Sequence, residues 1–334
     1  MKSQTASLSN LGEKFGVEAR KYAPLMILIG LVILFSIISP NFLSSYNILI
    51  LVRQVSFAAI SAVGIIFVMI AGGIDLSIGS QIVLTNVVLA ILMVDYHVSL
   101  ILAIPVILVL GTALGTLNGF LSIKLNIHPL IITLGTASIY KGIGYIIAQS
   151  RNIMGFPEAF RWFGQGFIGP IPVPIVIMIV MALIGSFILT RTYFGRYIFA
   201  LGGNEEAARL AGVNINRMKV LLFAICGFIS GITSVLLLSR VFAGQTSTGN
   251  GLEFDCLTAA LLGGVSFKGG EGTVFGLITG ILIIGVLNNA MQLASFPDFS
   301  QNVVKGAVLL AAVGFDVYQK NRKAKETVAR VAVA

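Results

Sequence analysis

The sequence predicts an all-α, polytopic membrane protein of about ten transmembrane helices, one of them short or broken, with both termini cytoplasmic. Three observations carry that expectation. Hydrophobic residues make up 57% of the 334-residue chain and charged residues only 10%, with a mean hydropathy of +0.97; a soluble core of this size does not need so few charges. Apolar runs of membrane-spanning length recur from one end to the other. Basic residues, by contrast, gather in a few polar segments.

Taken in order, residues 1–21 are mostly polar and read as a cytoplasmic segment rather than a cleavable signal, because the apolar run that follows ends in "SPNF" without a small-residue cleavage pattern. Residues 22–318 hold the transmembrane domain. About 20 apolar residues cross a bilayer, and such runs lie near 22–39, 55–71, 78–94, 98–123, 128–148, 173–190, 220–240, 273–290 and 302–318. A tenth candidate, "CLTAALLGGV" at 256–265, covers only half the hydrocarbon. It is either a re-entrant hairpin or a full crossing whose other half is the polar "TGNGLEFD", shielded by protein. Residues 319–334 form a basic tail.

Positive charge favours ten crossings. With the N-terminus inside, sixteen Lys and Arg fall on the cytoplasmic side against Arg53, Arg151 and Arg161 outside; Lys141, Arg240 and Lys305 lie within spans. Without the short crossing, the five-charge tail would fall outside, against the positive-inside bias. The net charge of +9 therefore reads as membrane orientation, with no call for nucleic acid. Closely spaced glycines in "GTALGTLNG" and "GLITGILIIG" read as packing surfaces, since small residues let membrane helices approach. "IAGGIDLSIGS" (70–80) and "LLGGVSFKGGEG" (261–272) echo one another as an apolar run, a Gly pair, a polar turn and a new span. Spans interrupted by Gly at matching positions can mark a transport site.

Several chemistries are excluded. Cys226 and Cys256 lie in apolar runs and the only histidines are His97 and His128, which leaves neither a disulfide framework nor a metal site. No catalytic constellation is present. Asp75, Glu253, Asp255, Glu271 and Asp316 all lie at span ends, whereas ion-coupled carriers need an intramembrane carboxylate. Lys141 and Lys305 lie toward the outer face, close enough to snorkel. No lysine follows a glycine, so the chain has no P-loop and any ATP is hydrolysed elsewhere.

One segment does not fit its surroundings. Residues 191–219 fall on the cytoplasmic side and contain "GGNEEAARLAGVNINRMK". Asn204 suits an N-cap, Glu205 and Glu206 sit at the positive end of the helix dipole, "AARLA" favours helix, and Gly212 is placed to stop it. A helix of about two turns is marginal alone in water. Ala207, Ala208, Leu210 and Ala211 would give it a flat apolar side, for a partner's groove or for the lipid headgroups.

"GRYIFALGGNEEAARLAGVNINRMK" resembles the cytoplasmic coupling loop of bacterial ABC importer permeases of the ribose-type carbohydrate family. The likeness continues through "AGGIDLSIGS", "HPLIITLGT", "LGGVSFKGGEGTVFG" and "LNNAMQL", in order, over roughly residues 25 to 318. One departure is "RLAGV" where "RLSGI" is more usual. The resemblance implies a permease of the bacterial inner membrane that binds no cofactor itself. Its implied partners are a second copy in a homodimer, a cytoplasmic ATPase that uses ATP and Mg, and an extracytoplasmic sugar-binding protein. The implied coupling residues are Gly203, Asn204, Glu205, Ala207, Ala208, Arg209 and Gly212.

A sugar is neutral and rich in hydroxyls, so Asn86, Asn118, Thr133, Thr136, Asn288 and Asn289 are candidates for its pathway, each equally suited to joining helices. Asp75 and Ser77 are expected to cap the helix after "GGI" or to act at an inner gate. Lys268 and Glu271, in "FKGGEG", lie on the same side and suit an inner turn or a second ATPase contact. Of the outer loops the largest is 151–172, whose Phe156, Phe160, Trp162, Phe163 and Phe167 would meet a partner or the outer leaflet. Branched-chain amino acid permeases and, more remotely, ion-coupled sugar carriers are the alternative readings. A zwitterion would need complementary charges along its path.

Overall fold

The computed structural model describes residues 22–333; residues 1–21, expected to be cytoplasmic, lie outside them, as do the side chains of the basic tail beyond residue 318. The described chain is predominantly helical. In order it forms α1 (Tyr22–Ile38), α2 (Ser45–Ile70), α3 (Ile78–Val94), α4 (Leu100–Lys124), α5 (Pro129–Ala148), α6 (Arg161–Gln165), α7 (Val173–Arg191), α8 (Tyr193–Gly203), α9 (Glu205–Leu210), α10 (Ile215–Val241), α11 (Leu252–Leu262), α12 (Val274–Leu293) and α13 (Asp298–Val333). A hairpin of two-residue strands, β1 (Phe167–Ile168) and β2 (Ile171–Pro172), follows α6.

Local chemistry sets the ends. Ser44 caps α2 by accepting the Asn47 amide at 3.3 Å. Pro129 opens α5, where a missing N–H costs nothing, and the His128 ring accepts the Leu130 amide. Asn214 and Thr273 do the same for α10 and α12. Helices α2, α4, α5, α7, α10 and α12 are long and apolar enough to cross a membrane, and α1 and α3 are shorter apolar helices. This is a polytopic membrane protein. α13 carries Lys305 and Asp316 in its expected crossing and is not among the six.

α2, α10 and α12 are mostly buried and make the centre, while α4, α5 and α7 present Ile101, Val109, Ile131 and Leu183 outward. The glycine pattern explains how α4 meets α10. A Cβ on Gly111 would lie 2.4 Å from the Gly227 carbonyl oxygen, and one on Gly115 2.1 Å from that of Phe223. The two backbones touch, which only unsubstituted carbons permit.

Two stretches that enter the helical body are not helical. After α2 the chain turns at Gly72 (φ +84°) and runs without regular structure to α3. After α10, residues 242–251 run back along α3: Gly244 lies against Ala90, and Gly249 against Ile82 and the Gly79 carbonyl. α11 therefore starts beside the start of α3, and its eleven residues cover about 16 Å at 1.5 Å per residue. The short segment is thus a half-length helix preceded by a non-helical lead that is mostly turns and packs on protein.

Candidate functional site

The polar loop begins where Thr192 ends α7 and caps α8, its hydroxyl accepting the Gly195 amide at 3.1 Å. α8 buries Ile198 and Leu201 and ends at Gly203. Asn204 then caps α9, its Oδ1 accepting the Ala207 amide at 2.9 Å. The helix stops at Gly212 (φ +87°), where the Gly212 and Val213 amides return to the Arg209 and Ala208 carbonyls. α9 is a six-residue helix, shorter than two full turns. Glu205 receives Lys219 Nζ at 2.8 and 2.9 Å, tying α9 to α10, and Arg209 reaches Glu206 at 3.4 Å. Such half-exposed pairs contribute no more than about 1 kcal/mol each, so the cap and the burial of Ala208 do most to hold the helix.

That burial corrects one expectation. Ala208 faces the protein, while Gly203, Ala207, Leu210, Ala211 and Gly212 face out, Leu210 with 82% of its surface exposed. Every residue from Gly203 to Gly212 other than Ala208 is exposed, so the helix is buried on the protein through Ala208 alone. Behind α9 lies a cavity of about 290 Å³ lined by Gly72, Gly73, His128, Asn204, Lys219 and Lys268, among others.

Deeper in, Asp75 organises a buried polar network. Its Oδ1 accepts the Ser77 amide at 2.8 Å and the Ser77 hydroxyl at 2.6 Å. The Ser77 Oγ in turn accepts from Gln81 Nε2 and Asn118 Nδ2, both at 2.7 Å. Asn118 Oδ1 accepts from Tyr140 OH at 3.0 Å, and Ser230 Oγ donates to Gln81 Oε1 at 3.1 Å. Thr133 Oγ1 accepts the Leu76 amide at 3.2 Å, with Thr136 one turn further along α5. The non-helical segment 71–77 is thereby fastened to α3, α4, α5 and α10. Asp75 makes the helix-opening bond; Ser77, expected to cap, makes no capping bond because its hydroxyl is committed to the network. Lys268 and Glu271 sit on the loop between α11 and α12 and are absent from the network's hydrogen bonds.

The six amides and hydroxyls proposed for a pathway do not share one place. Asn118 and Thr133 belong to the Asp75 network. Asn289 pairs reciprocally with Asn47, each amide donating at 2.8 Å. Asn288 lines a separate cavity of about 200 Å³ with Gln54, Asn250 and Asp255. Asn86 is fully buried with neither amide atom bonded. Gln81, Tyr140, Ser230 and Asn47 were not singled out by sequence; only Gln81, four residues from Ser77 on one helix face, carried a readable signal. Lys305 also departs from its expected snorkelling: its Nζ donates to Asp255 at 2.9 Å. In the 151–172 segment Phe156 and Phe160 are buried against Phe242 and the α10 end, leaving Trp162 and Phe167 half exposed.

A family described as "Branched-chain amino acid transport system / permease component" matches residues 47–313. The chain is 40% identical to a ribose import permease protein of Haemophilus influenzae over 97% of its own length and 99% of the relative's. It is 37% identical to the ribose import permease protein of Bacillus subtilis (95% and 98%). It is 39% identical to an L-arabinose transport system permease protein of Escherichia coli (94% and 95%). No solved structure matches significantly. Helical architecture, a capped polar loop and near full-length likeness agree: the chain belongs to the family of ribose- and arabinose-type ABC import permeases, non-catalytic membrane subunits of bacterial importers.

Proposed function

We propose that this chain forms the translocation pathway of a monosaccharide importer and that α9 is its coupling helix, seated in a groove of a cytoplasmic ATPase. It crosses the bilayer ten times with both termini inside, α11 and its non-helical lead supplying one broken crossing, and it works as a homodimer. One observation carries the coupling assignment. A six-residue helix, too short to persist alone, is capped at both ends, braced from behind, and turns Leu210 outward. Five basic residues, Arg191, Arg196, Arg209, Arg217 and Lys219, share its loop, which supports a cytoplasmic position.

A sugar fits the interior better than a branched-chain amino acid. The relatives carry the words ribose and L-arabinose in their names, and the buried groups are amides and hydroxyls. Asp75 has no cation within salt-bridge distance among the described residues, so its network holds no paired charges for a zwitterion, and Lys305 and Asp255 already neutralise each other. Loaded binding protein would deliver the sugar at the outer face. ATP-driven movement of α9 would then rock the two halves between outward and inward openings.

A photo-reactive residue at Leu210, in the permease assembled with its ATPase, tests the docking. It should give an adduct of permease plus ATPase. Adducts with lipid alone would place α9 on the headgroups and remove the assignment. Titrating the partner binding protein with D-ribose, L-arabinose and L-leucine distinguishes the substrate classes, with binding of one of the sugars expected.

A further inference from the structure

Three stretches far apart in sequence meet backbone to backbone beside the coupling helix. They are the end of α2 at Ile70–Gly73, the end of α8 at Gly202–Gly203, and the 268–272 loop. The Gly270 amide donates to the Ile70 carbonyl at 2.8 Å. A Cβ on Gly202 would lie 1.8 Å from that same oxygen and 2.5 Å from the Gly270 nitrogen; one on Gly269 would lie 2.7 Å from the Gly72 nitrogen. Gly269 and Gly270 both hold positive φ, +87° and +78°, which other residues adopt only with strain.

Each stretch adjoins the coupling helix or one of the non-helical segments. Gly202 is two residues before the Asn204 cap. Ile70 ends α2 and opens the non-helical segment that carries Asp75. The 268–272 loop joins the half-helix α11 to α12. Ordinary helix contacts pass through side chains, which change rotamer and absorb displacement. Here no side chain intervenes, so a push on Gly202 arrives undamped at the Ile70 carbonyl and the Gly270 amide.

We propose that Ile70, Gly202 and Gly270 form a rigid joint through which movement of the coupling helix reaches both broken segments, 71–77 and the α11 lead. The "FKGGEG" loop is then an internal strut, and its glycines serve backbone contact. This rests on the coupling assignment above and adds the route by which it acts.

The test uses the permease reconstituted in liposomes with its ATPase and binding protein, reading labelled sugar imported per ATP hydrolysed. Gly202→Ala should insert and assemble, yet lower that ratio by about tenfold or more, as a broken two-state linkage does. Gly142→Ala, whose added methyl meets nothing within 4 Å, should leave the ratio unchanged. A wild-type ratio in Gly202→Ala overturns the joint. Should Gly202→Ala fail to assemble, spin labels at Tyr197→Cys on α8 and Phe275→Cys on α12 decide, since both positions are exposed and both native cysteines are buried. The label-to-label distance should be the same in nucleotide-free and ATP-trapped states; a shift of several ångströms overturns the joint. Absence of the Leu210 adduct would instead remove the coupling assignment itself, whatever Gly202→Ala does.

Discussion

Asn47 and Asn289 show how single residues hold this protein together. Each amide both donates to and accepts from the other inside the helical body. Removing one leaves the other with unmet hydrogen bonds, which costs about 1–3 kcal/mol, whereas removing both together restores much of the loss. Asn289→Leu alone should therefore lower the Tm in detergent by several degrees, and Asn47→Leu with Asn289→Leu should recover part of it. The Asp75 network makes a parallel case: Asn118→Leu strips the Ser77 hydroxyl of one donor and Tyr140 of one of its two acceptors, the Leu114 carbonyl remaining. None of this pairing could be read from spacing, because the partners lie on different helices with 242 positions between Asn47 and Asn289. The local Asp75–Ser77 turn was half legible. Polar residues before a helix signal a cap, but which one caps depends on what else the Ser77 hydroxyl can reach.

Among the elements, α9 was the most legible. Its start at Asn204 and its stop at Gly212 follow from local chemistry alone, so the sequence locates them closely. Its inward and outward faces were less so, since Ala207 and Ala208 are alike until the body on one side is known. Replacing the cap, Asn204→Ala, should cost about 1 kcal/mol of local stability, detectable as faster amide exchange over residues 205–211 without loss of the fold. The glycine faces of α4 and α10 give a second prediction at this scale. Gly115→Val pushes a branched side chain onto the Phe223 carbonyl, which a Cβ alone would already meet at 2.1 Å. The helices must separate, and the variant should lose several kcal/mol, in the range of overpacked cores, seen as loss of folded protein on size exclusion.

For the whole molecule, hydropathy located the six helices long and apolar enough to cross and the two shorter apolar ones, because lipid demands long apolar helices. The short candidate at 256–265 was found too, though the helix runs over Leu252–Leu262, and its half length depends on 242–251 finding α3 to lie against. Reporter fusions test the topology: a fusion at Asn250 should report an outer-side or membrane-buried position and one at Lys268 a cytoplasmic one. Both ends falling on the same side would make the segment a hairpin. On the proposed reading, the charge pattern and the family membership describe one machine: a membrane body without a motor, moved from below by a subunit that has one.

The coupling ratio of the reconstituted importer tests that claim most directly. Glu205→Arg replaces the carboxylate held by Lys219, and Gly212→Pro forces a residue fixed near φ −65° into a position held at +87°. In both variants the assembled complex should hydrolyse ATP while sugar uptake per ATP falls by about tenfold or more. Wild-type uptake per ATP in both would contradict the assignment of α9 as the coupling element.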